Sequence, residues 1–314
     1  MHMENENKRN SNFLKDTLKG LPLGVSAAVP GVSAGTIAII EKCYDLIIDS
    51  IAGFKKSFKT SFLALLPFLL GYAIGGLAAL LGIKAGYNAA PFSITGLFAG
   101  FIIGSLPSIF VELKKGETLK EKLLLLLPLL ISFLVVSSIG VLSALLKVDF
   151  GGAIVNNEWW IYVYVFLAGA IGAGSCLVPG VSGSMCLMVM GLYFPINEYF
   201  LGFKEGTAFY MTGDWASGII LLLCLGLGAL AGLVVASKAM KNLLDKHHDG
   251  TYYAIVGLIL GSLVSMFINN KIFEVYLDAS HPMWDYIVGI ALTIIGAALT
   301  FILYKVFAKK SNNQ

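Results

Sequence analysis

Val29-Pro30-Gly31-Val32-Ser33 and Val178-Pro179-Gly180-Val181-Ser182 are the same five residues written twice, 149 positions apart, each inside a long apolar run. Proline lacks a backbone donor and glycine relaxes the helix, so both runs are expected to break in the middle rather than at the end of a span. In a bilayer, irregular backbone survives only where it is buried in protein or lines a wet cavity, because an unpaired N–H or C=O is costly in lipid. Matched breaks in the two halves of a chain are the sequence mark of a transporter's binding site.

The composition fits such a setting. Of 314 residues, 57% are hydrophobic and only 13% charged, against about 25% charged in a soluble domain. The fold class expected is an all-α polytopic membrane protein. The polar stretch Met1 to Lys19 carries no cleavable signal peptide pattern, so insertion is expected to rely on the first membrane segments. The net charge of +3 carries little information, because the placement of Lys and Arg matters more than their sum. Cys43, Cys176, Cys186 and Cys224 form no C-x-x-C pair and read as small core residues. The four histidines form no ligand cluster, and no metal site is expected.

Gly20 to Val29 is ten residues, about 15 Å of helix, half of a roughly 30 Å hydrocarbon core. It cannot cross alone. After the break a helical piece is expected over Thr36 to Ile51, then full spans at Ser61 to Ile83, Ala90 to Val111 and Leu123 to Leu146. The pattern restarts with Trp159 to Val178 and Ser184 to Leu201 around the second break. Spans at Ser217 to Ser237, Tyr252 to Asn269 and Trp284 to Phe307 follow.

Lysines cluster in the N-terminal tail, at 55–59, at 114–122, at 238–248 and at the C-terminus, whereas Lys84, Lys147, Lys204 and Lys271 stand alone in their loops. The positive-inside rule puts the clusters, and both termini, in the cytoplasm. The first broken run then enters and returns from inside, and the second from outside. Opposite topologies are the mark of an inverted repeat. The expected division is a polar tail 1–19, a first repeat 20–147 (re-entrant hairpin 20–52 plus three spans), an external linker 148–158, a second repeat 159–308 (hairpin 159–201 plus three spans) and a polar tail 309–314.

At the 149-residue offset Gly20 meets Gly169, Gly31 meets Gly180, Ser33 meets Ser182 and Tyr44 meets Tyr193. Gly71-x-x-x-Gly75 likewise resembles Gly228-x-x-x-Gly232, and Gly96-Leu97-x-x-Gly100 resembles Gly257-Leu258-x-x-Gly261. Small residues at this spacing let helices approach closely in lipid, and packing is their expected role.

Candidate chemistry lies at the breaks. Ser33 or Gly35 opens the piece at Thr36, and Ser182 or Ser184 opens the piece at Met185; a helix start offers free amides, hydroxyls and a positive dipole end to an anion. The candidate binding set is Pro30, Gly31, Val32, Ser33, Gly35 and Thr36 with Pro179, Gly180, Val181, Ser182, Gly183 and Ser184. The bland alternative is two capped turns. Arg9, in the tail, is the only arginine in the sequence, so no bidentate clamp sits within the membrane. Glu41, Asp45 and Asp49 are spaced at i, i+4 and i+8, so they are expected to line one face of the helix after the first break, and Glu41, nearest the interior, is the coupling candidate. No nucleotide-binding, metalloprotease or nucleophile motif is present, so no catalytic residue and no cofactor is expected beyond a coupling cation or proton.

The paired motifs Val29-Pro30-Gly31-Val32-Ser33-Ala34-Gly35-Thr36 and Val178-Pro179-Gly180-Val181-Ser182-Gly183-Ser184, followed by Tyr44 and by Gly191-x-Tyr193, resemble the polyprenyl-phosphate transporter family called PopT. The resemblance covers nearly the whole chain after the tail. It implies a multi-pass protein of a prokaryotic plasma membrane that returns undecaprenyl phosphate, the carrier lipid of cell-envelope glycan synthesis, from the outer to the inner leaflet. Its partners would be the bilayer and that lipid, with no nucleic acid. The first motif departs from the family's P-G-V-S-G-G-T at Ala34, an Asp or Asn common before the Pro is Ala27, and Glu41-Lys42-Cys43 replaces Thr-Gly-x before Tyr44. The alternatives are a membrane lipid-phosphate phosphatase or transferase, which release of inorganic phosphate would reveal, and a carrier of a small soluble anion.

Overall fold

The computed structural model describes residues 13–32, 37–38, 41–53, 57–111, 113, 119–146, 149–176, 181–202, 208–268 and 270–311. Among these the regular elements are all helices: α1 Phe13–Ala28, α2 Tyr44–Gly53, α3 Phe58–Ala89, α4 Pro91–Phe110, α5 Leu119–Leu146, α6 Phe150–Val155, α7 Trp159–Ser175, α8 Gly183–Val189, α9 Tyr193–Leu201, α10 Phe209–Thr212, α11 Trp215–Phe267, α12 Asn270–Leu277 and α13 Met283–Ser311. Five described stretches are long and apolar enough to cross a membrane: Phe58–Ala89, Leu123–Leu146, Trp215–Met240, Asn242–Phe267 and Met283–Lys305. The 20 residues of α4 reach about 30 Å. Exposed rows such as Ile287, Ile290 and Ile294 on α13 and Leu223, Leu227 and Leu230 on α11 have no place in water and face lipid. The chain is a multi-pass membrane protein.

The chain divides into two compact units, Met1–Ala28 with Ala34–Leu81, and Val29–Ser33 with Gly82–Gln314. In the first unit α1 packs on α3 backbone to backbone. A Cβ added at Gly71 would lie 2.0 Å from the Thr17 carbonyl, and one at Gly75 2.1 Å from that of Leu21. In the second unit α7 packs on the front half of α11 the same way: a Cβ added at Gly228 would lie 2.0 Å from the Phe166 carbonyl, and one at Gly232 2.0 Å from that of Ala170. Phe166 and Ala170 lie 149 positions beyond Thr17 and Leu21. The second glycine pair behaves alike: an added Cβ at Gly100 on α4 meets the Thr293 carbonyl of α13 at 2.3 Å, and one at Gly257 on α11 that of Leu129 on α5 at 2.2 Å. These glycines are packing residues, as their spacing predicts.

The equivalence extends to single backbone hydrogen bonds. Glu41 N–H donates to Ile37 C=O at 2.9 Å and Cys43 N–H to Ala38 C=O at 2.9 Å; 149 residues on, Met190 N–H donates to Cys186 C=O at 3.0 Å and Leu192 N–H to Leu187 C=O at 2.9 Å. Between each pair of bonds the chain takes one left-handed residue, Lys42 at φ 54° and Gly191 at φ 72°. Cys43 and Leu192 are then buried, and α2 and α9 begin at Tyr44 and Tyr193.

Several expectations are corrected. The helical pieces after the breaks are not continuous: each is interrupted by this left-handed residue, so Glu41 sits in a turn and does not share a helix face with Asp45 and Asp49. The first broken helix starts at Phe13, seven residues before Gly20, with Asp16 in its first turn, where the helix dipole favours an acid. Residues 238–250 are helical except at His247 (φ −138°, ψ 44°), where α11 kinks. Lys238 to Asp249 contains neither Gly nor Pro, and on both sides of the His247 kink the segment stays helical. The linker 148–158 carries α6, capped by the Asp149 carboxylate accepting from Gly152 N–H at 2.9 Å.

Candidate functional site

Val29-Pro30-Gly31-Val32 forms a tight turn. Pro30 presets the second position, Gly31 takes φ +87° at the third, and Val32 N–H returns to the Val29 carbonyl at 3.4 Å, the pattern of a type II turn. Pro30 and Gly31 are buried. A Cβ on Gly31 would meet Ile102 of α4, 2.7 Å from its Cγ1 and 2.9 Å from its amide nitrogen. The space beside the Gly31 Cα is therefore occupied by a helix of the same unit. Its missing side chain serves the turn and this contact.

The turn amide points elsewhere. Gly31 N–H donates to Ser182 Oγ at 3.1 Å, joining residues 151 positions apart. Ser182 is the N-cap of α8, with extended backbone (φ −114°, ψ 148°), and its hydroxyl also accepts from Met185 N–H at 3.3 Å. Ser184 Oγ, buried, stands 3.3 Å from Ser182 Oγ. Val181 is buried beside it, and Gly183 packs its bare Cα against the Gly172 carbonyl of α7. Two amides and a second hydroxyl thus converge on one oxygen. The described partners of this oxygen are two amide donors and a hydroxyl, groups that can hold an oxygen by hydrogen bonds.

Of the expected site residues, Pro30, Gly31, Val32, Val181, Ser182, Gly183 and Ser184 are described and lie in the second unit; Gly31 and Ser182 touch directly. Ser33, Gly35, Thr36, Pro179 and Gly180 lie outside the described residues. Glu41 is half-buried in the turn before α2.

One buried acid lies outside the expected site residues. Asp285, at the start of α13, is fully buried and accepts from Phe92 N–H at 3.1 Å and Ser93 N–H at 2.9 Å, the free amides at the start of α4. Ser93 Oγ bonds the same carboxylate, and His281 Nε2 lies 2.8 Å from its second oxygen. This carboxylate is a helix cap supplied by another helix, and it ties α4 to α13. The signal in the sequence is a lone acid in the apolar run Trp284 to Phe307.

The family model described as undecaprenyl phosphate translocase-like matches residues 23–283, from the end of the first broken helix to the start of α13. The chain belongs to this family. It is 29% identical over 301 residues to a polyprenyl-phosphate transporter of Staphylococcus aureus, covering 93% of this chain and 96% of the relative. It is also 29% identical over 266 residues to a polyprenyl-phosphate transporter of Vibrio cholerae, covering 80% of this chain and 77% of the relative. No solved structure matches. The matched region of the translocase-like family contains both V-P-G-V-S motifs and the bond between them.

Proposed function

We propose that this protein is a transporter that carries polyprenyl phosphate, such as undecaprenyl phosphate, from the outer to the inner leaflet, with its phosphate held where the two V-P-G-V-S motifs meet. The observation that carries the reading is the Gly31 amide on the Ser182 hydroxyl. In this arrangement Ser182 Oγ occupies the position a phosphate oxygen would take, accepting the Gly31 and Met185 amides. A phosphate entering between the motifs would take over the Gly31 amide and leave Ser182 and Ser184 free to donate. Each such hydrogen bond is worth about 0.5–1.5 kcal/mol net, which suits a head group that must be released on the far side.

The two halves are proposed to be inverted-topology repeats, each a re-entrant hairpin followed by three spans. The matched glycine approaches and the matched backbone bonds 149 residues apart support this, together with the alternation of clustered and single lysines. Ser33, Gly35 and Thr36 with Pro179 and Gly180 complete the proposed lining, and Glu41 is the proposed coupling group. Most of the isoprenoid tail stays in the hydrocarbon while the head crosses, so the charge is what the protein must shield.

Native mass spectrometry of purified protein is expected to detect co-bound polyprenyl phosphate, depleted severalfold by Ser182→Ala. Preparations that carry only phospholipid contradict the reading. Single-cysteine labelling is expected to find Ser57 and Glu117 on the cytoplasmic side and Asn157 and Glu205 outside; Ser57 labelled from outside removes the inverted repeat.

A further inference from the structure

A groove of about 780 Å³ runs through the second unit between α5, α7, α8 and both halves of α11. Its walls are apolar, formed by Ile139, Ile171, Cys186, Val189, Val235 and Ala239 among others. Three of these, Ile139, Ile171 and Val235, are also exposed on the outer surface, so the groove opens sideways to the bilayer. At its inner end it follows α8, the seven-residue helix capped by Ser182. Cys186 in the groove wall is one helical turn from that cap, its amide donating to the Ser182 carbonyl at 3.2 Å. The end of α8 is fixed by Tyr164, whose hydroxyl donates to the Met190 carbonyl at 2.9 Å; both residues line the groove.

We infer that this groove holds the isoprene units next to the phosphate of the transported lipid, fixing the head at the Gly31–Ser182 pair; the inference rests on the function proposed above. Continuity and shape support this occupant. A polyprenyl phosphate is a single anionic head on one long branched chain, and the groove is a single apolar channel that begins within a helical turn of the proposed head site and ends in lipid. Its volume lies within the roughly 300–1,000 Å³ of typical small-ligand sites. In a bilayer a tail gains no hydrophobic energy by leaving lipid for an apolar wall. The groove therefore acts by fit, favouring a methyl-branched chain over a straight acyl chain and setting the depth of the head. Alanines in its wall, such as Ala231 and Ala236, reach less far than the larger side chains beside them and give branch methyls room to lodge.

The test uses the full chain in phospholipid vesicles with farnesyl phosphate carrying a diazirine on its terminal isoprene. On photolysis, label is expected within Gly183–Met190 and 231–240. Unlabelled farnesyl phosphate should displace it severalfold better than dodecyl phosphate, which has the same head on an unbranched tail. Ala239→Trp fills the groove from an exposed position and should cut the labelling severalfold with unchanged thermal unfolding; Ile139→Trp does the same from the opposite wall. Label spread over the lipid-facing Leu223 and Leu230, equal displacement by dodecyl phosphate, or unchanged labelling in both tryptophan variants overturns the inference. Failure of the transport reading shows separately, as wild-type vesicles that leave undecaprenyl phosphate in its original leaflet.

Discussion

Gly31 and Ser182 occupy corresponding motifs of the two halves but not corresponding positions, and the amide of one donates to the hydroxyl of the other at 3.1 Å. The two members of this pair are expected to fail differently. Ser182→Ala removes the acceptor of two amides, Gly31 and Met185. Leaving buried donors unsatisfied costs about 1–3 kcal/mol, and binding of polyprenyl phosphate should fall severalfold. Gly31→Ala meets a left-handed φ of +87° and the Ile102 backbone at 2.9 Å. A left-handed residue with a side chain costs about 1–2 kcal/mol and overpacking about 1–3 more. Thermal unfolding in detergent should therefore rank Gly31→Ala as the less stable variant. A Gly31→Ala protein as stable as wild type would mean that the turn is not the one described.

Much of this was legible in the sequence, because the features involved are local. A Val-Pro-Gly-Val stretch carries its turn type in its own residues, and Gly71, Gly75, Gly228 and Gly232 announce close helix contacts by spacing alone. The interruption at Lys42 was not legible from its own residue type, since lysine is not a turn residue; it follows only from Gly191 at the matched position. Asp285 was missed because its partners, Phe92 and Ser93, lie over 190 positions away, and no local pattern says that an acid caps another helix. The lysines and histidines between the spans at Ser217 to Ser237 and Tyr252 to Asn269 suggest solvent, yet 238–250 is helical apart from the kink at His247, since lysine is a good helix former.

Lys42 offers a stabilising substitution. It holds φ 54° where its counterpart is Gly191 at 72°. Lys42→Gly removes left-handed strain of about 1–2 kcal/mol and adds unfolded-chain entropy costing about 0.4–1 kcal/mol. The expected net gain is about 0–1.6 kcal/mol, read as a higher unfolding temperature, with Gly191→Ala lowering it. A fall in stability for Lys42→Gly would show that the lysine side chain contributes more than its backbone costs.

Glu41 tests coupling. Its turn is held by backbone bonds that do not involve the carboxylate, so Glu41→Gln should express and unfold as wild type does. Transport should slow, because a carboxylate near the membrane interior is costly unless it has a partner or a functional role. A wild-type transport rate would remove Glu41 from the mechanism.

Asp214 gives the pH dependence of a cap. The Asn157 side-chain amide, donating at 2.7 Å, and then Ser217 hold its carboxyl below the usual aspartate range. Because the folded state favours the ionised form, the stabilisation is complete above the ordinary aspartate range and is lost as pH falls through the lowered folded value. The unfolding-temperature difference between wild type and Asp214→Asn should thus stay constant from neutral pH down to mild acid and shrink only in stronger acid. A difference that grows on acidification would contradict the assignment.

On the proposed function the chain moves a lipid phosphate between leaflets without cleaving it. The direct measurement reconstitutes the protein in sealed vesicles containing undecaprenyl phosphate in both leaflets and adds an impermeant phosphatase outside. Wild-type vesicles are expected to expose the lipid of both leaflets, Ser182→Ala vesicles to do so severalfold more slowly, and no inorganic phosphate should appear before phosphatase is added. Inner-leaflet lipid that stays protected in wild-type vesicles, or phosphate released by the protein alone, would contradict the account.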